Sequence, residues 1–196
     1  MKSLDGSLVK KNIITIAGRP GSGKSTTAKA AARQLGFEHF SSGDFFRELG
    51  KQKGIDVLLA NASPGVTEEL DRLVDGKLRE IGAKGDRMVI DSRTAWHWIP
   101  GSFKVFLNLD LESAARRILN EINEERQNSE KIHENPIDYA KALKKRLDAE
   151  TERYKAIYGI DPYEMSNYDL VIDTESNSIE QVIEKVINEF SNWLKR

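Results

Sequence analysis

Apolar residues follow two rhythms along this chain. Short apolar or β-branched runs at residues 12–17, 37–40, 87–90, 104–109 and 170–172 read as strands. The first of them, apolar and β-branched and bounded by Gly18, predicts a buried strand. Between these runs the apolar positions take a helical period. Residues 24–35 are alanine-rich and stop at Gly36, and a short helix is expected at 44–49. Residues 67–81 place Leu70, Leu73, Val74, Leu78 and Ile81 on one stripe. Residues 111–125 turn Ala114, Ala115, Ile118, Leu119 and Ile122 inward, 136–158 form a long charged helix, and 178–194 close the chain. Strands alternating with helices predict an α/β fold, a parallel sheet covered on both faces in three layers.

Composition narrows the chemistry. The 196 residues fit one domain with a substantial core. Thirty basic and 31 acidic side chains leave a net charge of −1, so no global basic field points to nucleic acid. An anion site must then be built locally, from placed arginines and backbone amides. The chain has no cysteine, which excludes disulfides, thiol catalysis and cysteine-ligated zinc. His39, His97 and His133 show no metal-ligand spacing. With no export signal and no apolar run near the roughly 18 residues that span a bilayer, a cytoplasmic protein without a membrane partner is expected.

The strongest chemical signal is Gly18-Arg19-Pro20-Gly21-Ser22-Gly23-Lys24-Ser25, followed by Thr26. It matches G-x-x-x-x-G-K-[ST] in full, after a predicted strand and opening a predicted helix. The glycines permit angles other residues resist and let amides approach phosphate oxygens. The helix adds its positive end. Lys24 would place a charge on the β and γ phosphates of ATP, and Ser25 would offer its hydroxyl to Mg²⁺. The same motif serves kinases, switches and motors, so the remaining residues must decide.

Three further segments carry candidates for an acceptor. Asp44 and Arg47, three apart after a Ser/Gly turn, would share a helix face; Arg47 would grip an acceptor phosphate, or the two would form a local ion pair. Asp91 and Arg93 lie at a strand's carboxyl end, where ligands of open α/β sheets bind. Asp91 would hold Mg²⁺ through water and Arg93 would reach the acceptor phosphate, or the two would be solvated charges of a strand-end turn. Arg146, Glu150 and Arg153 follow i, i+4, i+7 spacing on the long helix. They either form exposed ion pairs or close two arginines on the transferring phosphoryl group, with Glu150 on the acceptor sugar. The polar stretch 120–135 is either a solvated loop or a lid.

In this order, GRPGSGKST, SSGDFFRE, VIDSR and the closing RYKAIYGIDPYEMSNYDLVIDT resemble the cytidylate kinase family, most closely its compact archaeal branch. The resemblance runs from about residue 13 to 190 and is most specific over 154–174. It implies a P-loop NTPase fold with a five-stranded parallel sheet, a lid and an acceptor-binding insertion. It further implies phosphoryl transfer from MgATP to CMP or dCMP, with small-molecule nucleotides as partners; a monomer is expected. Lys24 and Ser25 match the nucleotide loop, Asp44 and Arg47 the acceptor turn, and Arg93 a phosphate-binding arginine. Arg146 and Arg153 match a closing arginine pair with acidic Glu150 between them. The expected division is a core at 12–53, 86–119 and 168–196, an acceptor region at 41–85 and a lid at 120–145. The chain departs from the family at Ser92–Trp98, where GRLAGW or GRDxGT is usual, and after Asp75 in the acidic helix. Its longer lid offers Arg117 and Arg126. Competing readings are an adenylate kinase-like enzyme with another acceptor, and a nucleotide-dependent switch.

Overall fold

In the computed structural model, residues 9–55, 64–120 and 135–196 are described, with no account of the side chains of 64–66. Five strands form one sheet: β1 (Ile13–Gly18), β2 (Glu38–Ser41), β3 (Met88–Asp91), β4 (Phe103–Asn108) and β5 (Leu170–Asp173). All pair in parallel, in the order β2-β3-β1-β4-β5. The central place of β1 explains its composition, since all six residues are buried and both faces are covered.

The helices are α1 (Lys24–Leu35), α2 (Ser42–Gln52), α3 (Pro64–Lys84), α4 (Ala95–Trp98), α5 (Leu111–Asn120), α6 (Pro136–Tyr158) and α7 (Ile179–Lys195). Side chains alternate across the strands and feed two cores. On one face Ile14, Ile16, Val105 and Leu107 meet Ala28 of α1 and Val182, Val186 and Phe190 of α7. On the other, Ile13 and Ile90 meet Val74, Leu78 and Ile81 of α3 and Ala95 of α4. A third cluster joins α5 to α6 through Ala114, Ile118, Tyr139 and Leu143.

Helix ends follow local chemistry. Gly36 caps α1 at φ 64°, a left-handed angle that needs no Cβ penalty. Asn135 caps α6 by accepting from Ile137 N, ahead of Pro136, and Gly159 ends it at φ 70°. Ser178 and Gln181 form a reciprocal capping box on α7.

Several expectations are corrected. Leu73 is not on the buried stripe of α3: it is 42% exposed, because the acids Asp71 and Asp75 take part of the buried face. The helix expected at 44–49 starts earlier and runs longer, since the Ser41 hydroxyl accepts from Asp44 N and starts it. The short helix α4 had no sequence signal, its four residues being too few to show a period. Ile122, Arg126 and most of the expected lid lie outside the described residues.

Candidate active site

Register sets up the site. Ile16 of β1 pairs with Asp91 of β3, so the loop after β1 opens beside the carboxyl end of β3. Gly18 leaves the strand at φ +150°, and a Cβ there would lie 2.3 Å from the Leu107 carbonyl oxygen of β4. Glycine is therefore required by close approach as well as by angle. Gly21 (φ +70°) passes 3.1 Å from the Ala114 carbonyl oxygen by the same measure. Gly23 begins α1 in the left-handed region, with no side chain capping the helix. The first amides of α1 are thus left to a ligand, the arrangement that binds phosphate.

Lys24 Nζ donates to the Arg19 carbonyl at 2.9 Å, bending back over the loop. Burial pushes its pKa down to about 8, against the attraction of Asp91, with Arg93 pushing the same way as burial. Ser25 Oγ donates to Asp91 Oδ2 at 2.5 Å. This pair offers a hydroxyl and a carboxylate oxygen, hard donors of the kind magnesium takes beside waters and phosphate oxygens. No cluster of three or more acidic or histidine ligands occurs among the described residues, so any ion here would depend on ligand oxygens.

Opposite the loop, Glu150 of α6 is buried and gathers three partners. Arg93 Nε approaches Oε2 at 2.9 Å, Arg146 Nε approaches Oε1 at 3.1 Å, and Tyr163 OH donates to Oε2 at 2.5 Å. Burial would raise the Glu150 carboxyl, but Arg93 and Arg146 outweigh it and hold the pKa at about 2. The same attraction to Glu150 raises Arg93 well above its ordinary range. Glu150 acts as a fixed anion that orients two guanidinium groups.

Arg153 lies further along the same face of α6 but crosses to another partner. Its Nε meets Asp71 Oδ2 of α3 at 3.0 Å. Burial raises the Asp71 pKa to about 6, Arg153 opposing it. One turn on, Asp75 Oδ1 accepts from Thr94 Oγ1 at 3.2 Å and from Trp98 Nε1 at 2.8 Å.

One cavity of about 490 Å³ is lined by Pro20, Gly21, Gly23, Lys24, Ser25 and Thr26 on one side and by Arg47, Asp91, Arg93, Arg146, Glu150 and Arg153 on the other. Residues from distant segments of the chain therefore face one space. Not every candidate turns toward it. Asp44 is exposed, pairs with Arg47 and lies outside the lining. The Arg19 side chain reaches away, donating to the Leu109 carbonyl, and the Ser22 hydroxyl bonds back to the Arg19 carbonyl at 2.8 Å. Neither Arg19 nor Ser22 lines the cavity.

Sequence reading assigned no site role to Tyr163, Tyr154 or Thr67. Tyr163 had no signal, since its tie to Glu150 is made only by folding. Asp71 and Asp75 did leave one, two acids interrupting the apolar stripe of α3. Arg117 lines the cavity while donating to the Thr174 carbonyl at 2.6 Å.

Residues 17–133 match the family model described as an AAA domain. The chain is 37% identical to a cytidylate kinase of Haloarcula marismortui, covering 83% of this chain and 80% of that one. It is 34% identical to a cytidylate kinase of Natronomonas pharaonis, covering 91% of each. A shikimate kinase structure from Bacteroides thetaiotaomicron superposes with a TM-score of 0.63 at 16% identity, covering 94% of this chain and 98% of that one, which places the fold among P-loop kinases. With a complete nucleotide loop, a parallel five-stranded sheet and relatives at this identity over most of its length, the chain belongs to the cytidylate kinase family.

Proposed function

We propose that this enzyme transfers the γ-phosphoryl group of ATP to CMP or dCMP, giving ADP and the corresponding diphosphate. The observation that carries this reading is the single cavity in which Lys24 and the open start of α1 face Arg47, Arg93, Arg146 and Arg153. A switch needs the first set alone. The arginines facing it give a second anion its place.

In this reading the ATP phosphates rest on the amides of residues 18–26, with Lys24 on the β and γ groups. Ser25 and Asp91 would hold Mg²⁺, which would supply charge neutralisation for the phosphates. Arg47 and Arg93 hold the acceptor phosphate. Arg146 and Arg153 neutralise the transferring group, Arg146 held by Glu150 and Arg153 by Asp71, and Glu150 contacts the acceptor sugar. No protein group forms a covalent bond to the phosphoryl group. Catalysis comes from alignment and from charge fixed in advance, with water kept out because it competes as acceptor. The test is coupled ADP release against a panel of nucleoside monophosphates. CMP and dCMP are expected to lead, with UMP and AMP weaker. A clear preference for AMP, or for an acceptor that is not a nucleotide, would overturn the assignment.

A further inference from the structure

Asp71 is a buried acid, 7% exposed, one turn before the core residue Val74 on α3. Both of its oxygens are engaged from α6. Arg153 Nε donates to Oδ2 at 3.0 Å, and the Tyr154 hydroxyl donates to Oδ1 at 3.5 Å. Tyr154 is itself buried, and the Arg153 guanidinium lies over its ring, 5.1 Å from the centroid. Asp71, Arg153 and Tyr154 all border the cavity lined by Lys24 and Arg93. As a device for stability the pair is poor. Desolvating two charges commonly costs as much as their attraction returns, and an apolar residue would pack α3 at least as well. The cost is visible in the Asp71 pKa, which burial raises to about 6 against the pull of Arg153. A strained acid at the wall of a cavity is the mark of a functional position. The point of contact says which function. A guanidinium carries its hydrogens in a planar fork. A carboxylate on Nε leaves the edge between the two terminal nitrogens for a second, bidentate partner.

We propose that Asp71 is a positioning residue for phosphoryl transfer, holding Arg153 by Nε so that its terminal nitrogens meet the transferring phosphoryl group. The proposal rests on the kinase reading above and on the place that reading gives Arg153. An arginine on a helix surface has many rotamers, and one without a partner is aligned for only part of the time. Asp71 stands on a different helix and is itself fixed by Tyr154, so it selects one orientation before substrate arrives. The charge is then set in advance and costs no reorganisation during the reaction. The same device recurs across the cavity, where Arg93 and Arg146 also meet a carboxylate through Nε, that of Glu150. Two acids on two helices thus divide the work. Glu150 serves Arg93 and Arg146, and Asp71 serves the arginine that Glu150 does not hold.

The test is single-turnover transfer, with steady-state kcat and KM, at a pH of about 7.5, where Asp71 is ionised. Asp71→Ala is expected to slow the chemical step about a hundredfold, the scale of a misplaced catalytic group. KM for both substrates should stay within about threefold of the parent, as for an interaction realised only in the transition state. Asp71→Asn keeps the shape and an oxygen that accepts from Nε, so it should rescue part of the loss and fall only about tenfold below the parent. The decisive measurement is the cycle with Arg153→Ala. If Asp71 acts through Arg153, the double variant should be no more than about threefold slower than Arg153→Ala alone. An acid that only packs α3 against α6 would instead multiply its own loss onto that of Arg153. Should Asp71→Ala fail to fold, the cycle is run with Asp71→Asn, which preserves side-chain volume. An Asp71→Ala rate within threefold of the parent, losses that multiply in the double variant, or a loss confined to KM would each overturn the role of Asp71 and leave the kinase reading intact. Arg153→Ala at the parent's rate would remove Arg153 from the transfer step, and this proposal with it. A parent that phosphorylates no nucleoside monophosphate would overturn the kinase reading itself.

Discussion

Lys24 should cost the free protein stability while being indispensable to its chemistry. Burial against the loop lowers its pKa from an ordinary 10.5 to about 8. A base whose folded pKa lies below its unfolded value binds its proton less tightly in the native state. The penalty is full below about pH 8 and disappears as pH rises toward 10.5, where the unfolded chain also gives up the proton. That interval corresponds to about 3 kcal/mol as a ceiling. Lys24 is only partly shielded and faces an open cavity, and it keeps a 2.9 Å bond to the Arg19 carbonyl. Screening and that bond reduce the expected net penalty to about 1–2 kcal/mol. Lys24→Met keeps the aliphatic stem and removes the charge. At pH 7 it should raise the urea midpoint at unchanged m, and raise Tm by about 2–8 °C for a chain of this size. By pH 10.5 the advantage should vanish. The same variant should lose nearly all transfer and the extra stability that MgATP confers on the parent, since a charge contact to the phosphates is gone. A variant less stable than the parent at pH 7, or an advantage that persists unchanged at pH 10.5, would refute the argument. So would near-normal turnover.

Glu150 should show the opposite pH behaviour. Its folded pKa of about 2 lies below the unfolded 4.5, so it contributes stability above pH 4.5 that is lost as pH falls toward 2. Glu150→Gln should therefore cost about 3 kcal/mol at pH 7, with the gap to the parent narrowing in acid denaturation below pH 4.5. Arg146→Ala and Arg153→Ala, measured by single-turnover transfer at saturating substrates, should each slow the chemical step by roughly a thousandfold, and lysine should rescue poorly. Rates within threefold of the parent for both would return them to structural ion pairs. Gly18→Ala should unfold or displace the loop, because the new methyl would meet the Leu107 carbonyl at 2.3 Å; circular dichroism melting and nucleotide binding would both report it. Asp91→Asn should raise the magnesium concentration needed for half-maximal rate, and an unchanged magnesium dependence would remove Asp91 from the metal assignment.

Local rules carried much of this protein in its sequence. The apolar run of β1, the glycine stop of α1 at Gly36 and the Asn-Pro start and Gly159 end of α6 are decided by residues within a turn or two of each boundary. The nucleotide loop is equally local, because its glycines, lysine and serine are contiguous and their spacing alone specifies the backbone path. The i, i+4 pairing of Arg146 with Glu150 was also legible, since helix geometry fixes it. What the sequence left open was which partner each charge would choose. Arg93 could have faced solvent, and only the packing of α6 across the end of β3 puts it on Glu150. Arg153 shares a face with Glu150 yet turns to Asp71 of α3, a residue 82 positions away in the chain. Tyr163 joins the same network from a loop after α6, with no local pattern to announce it. Asp75 takes Thr94 and Trp98 as partners only because α4 packs against α3. Backbone conformation is dictated largely by near neighbours and short-range sterics. The ionisation and orientation of a buried charge depend on groups brought together across the chain, and those are settled only by tertiary packing.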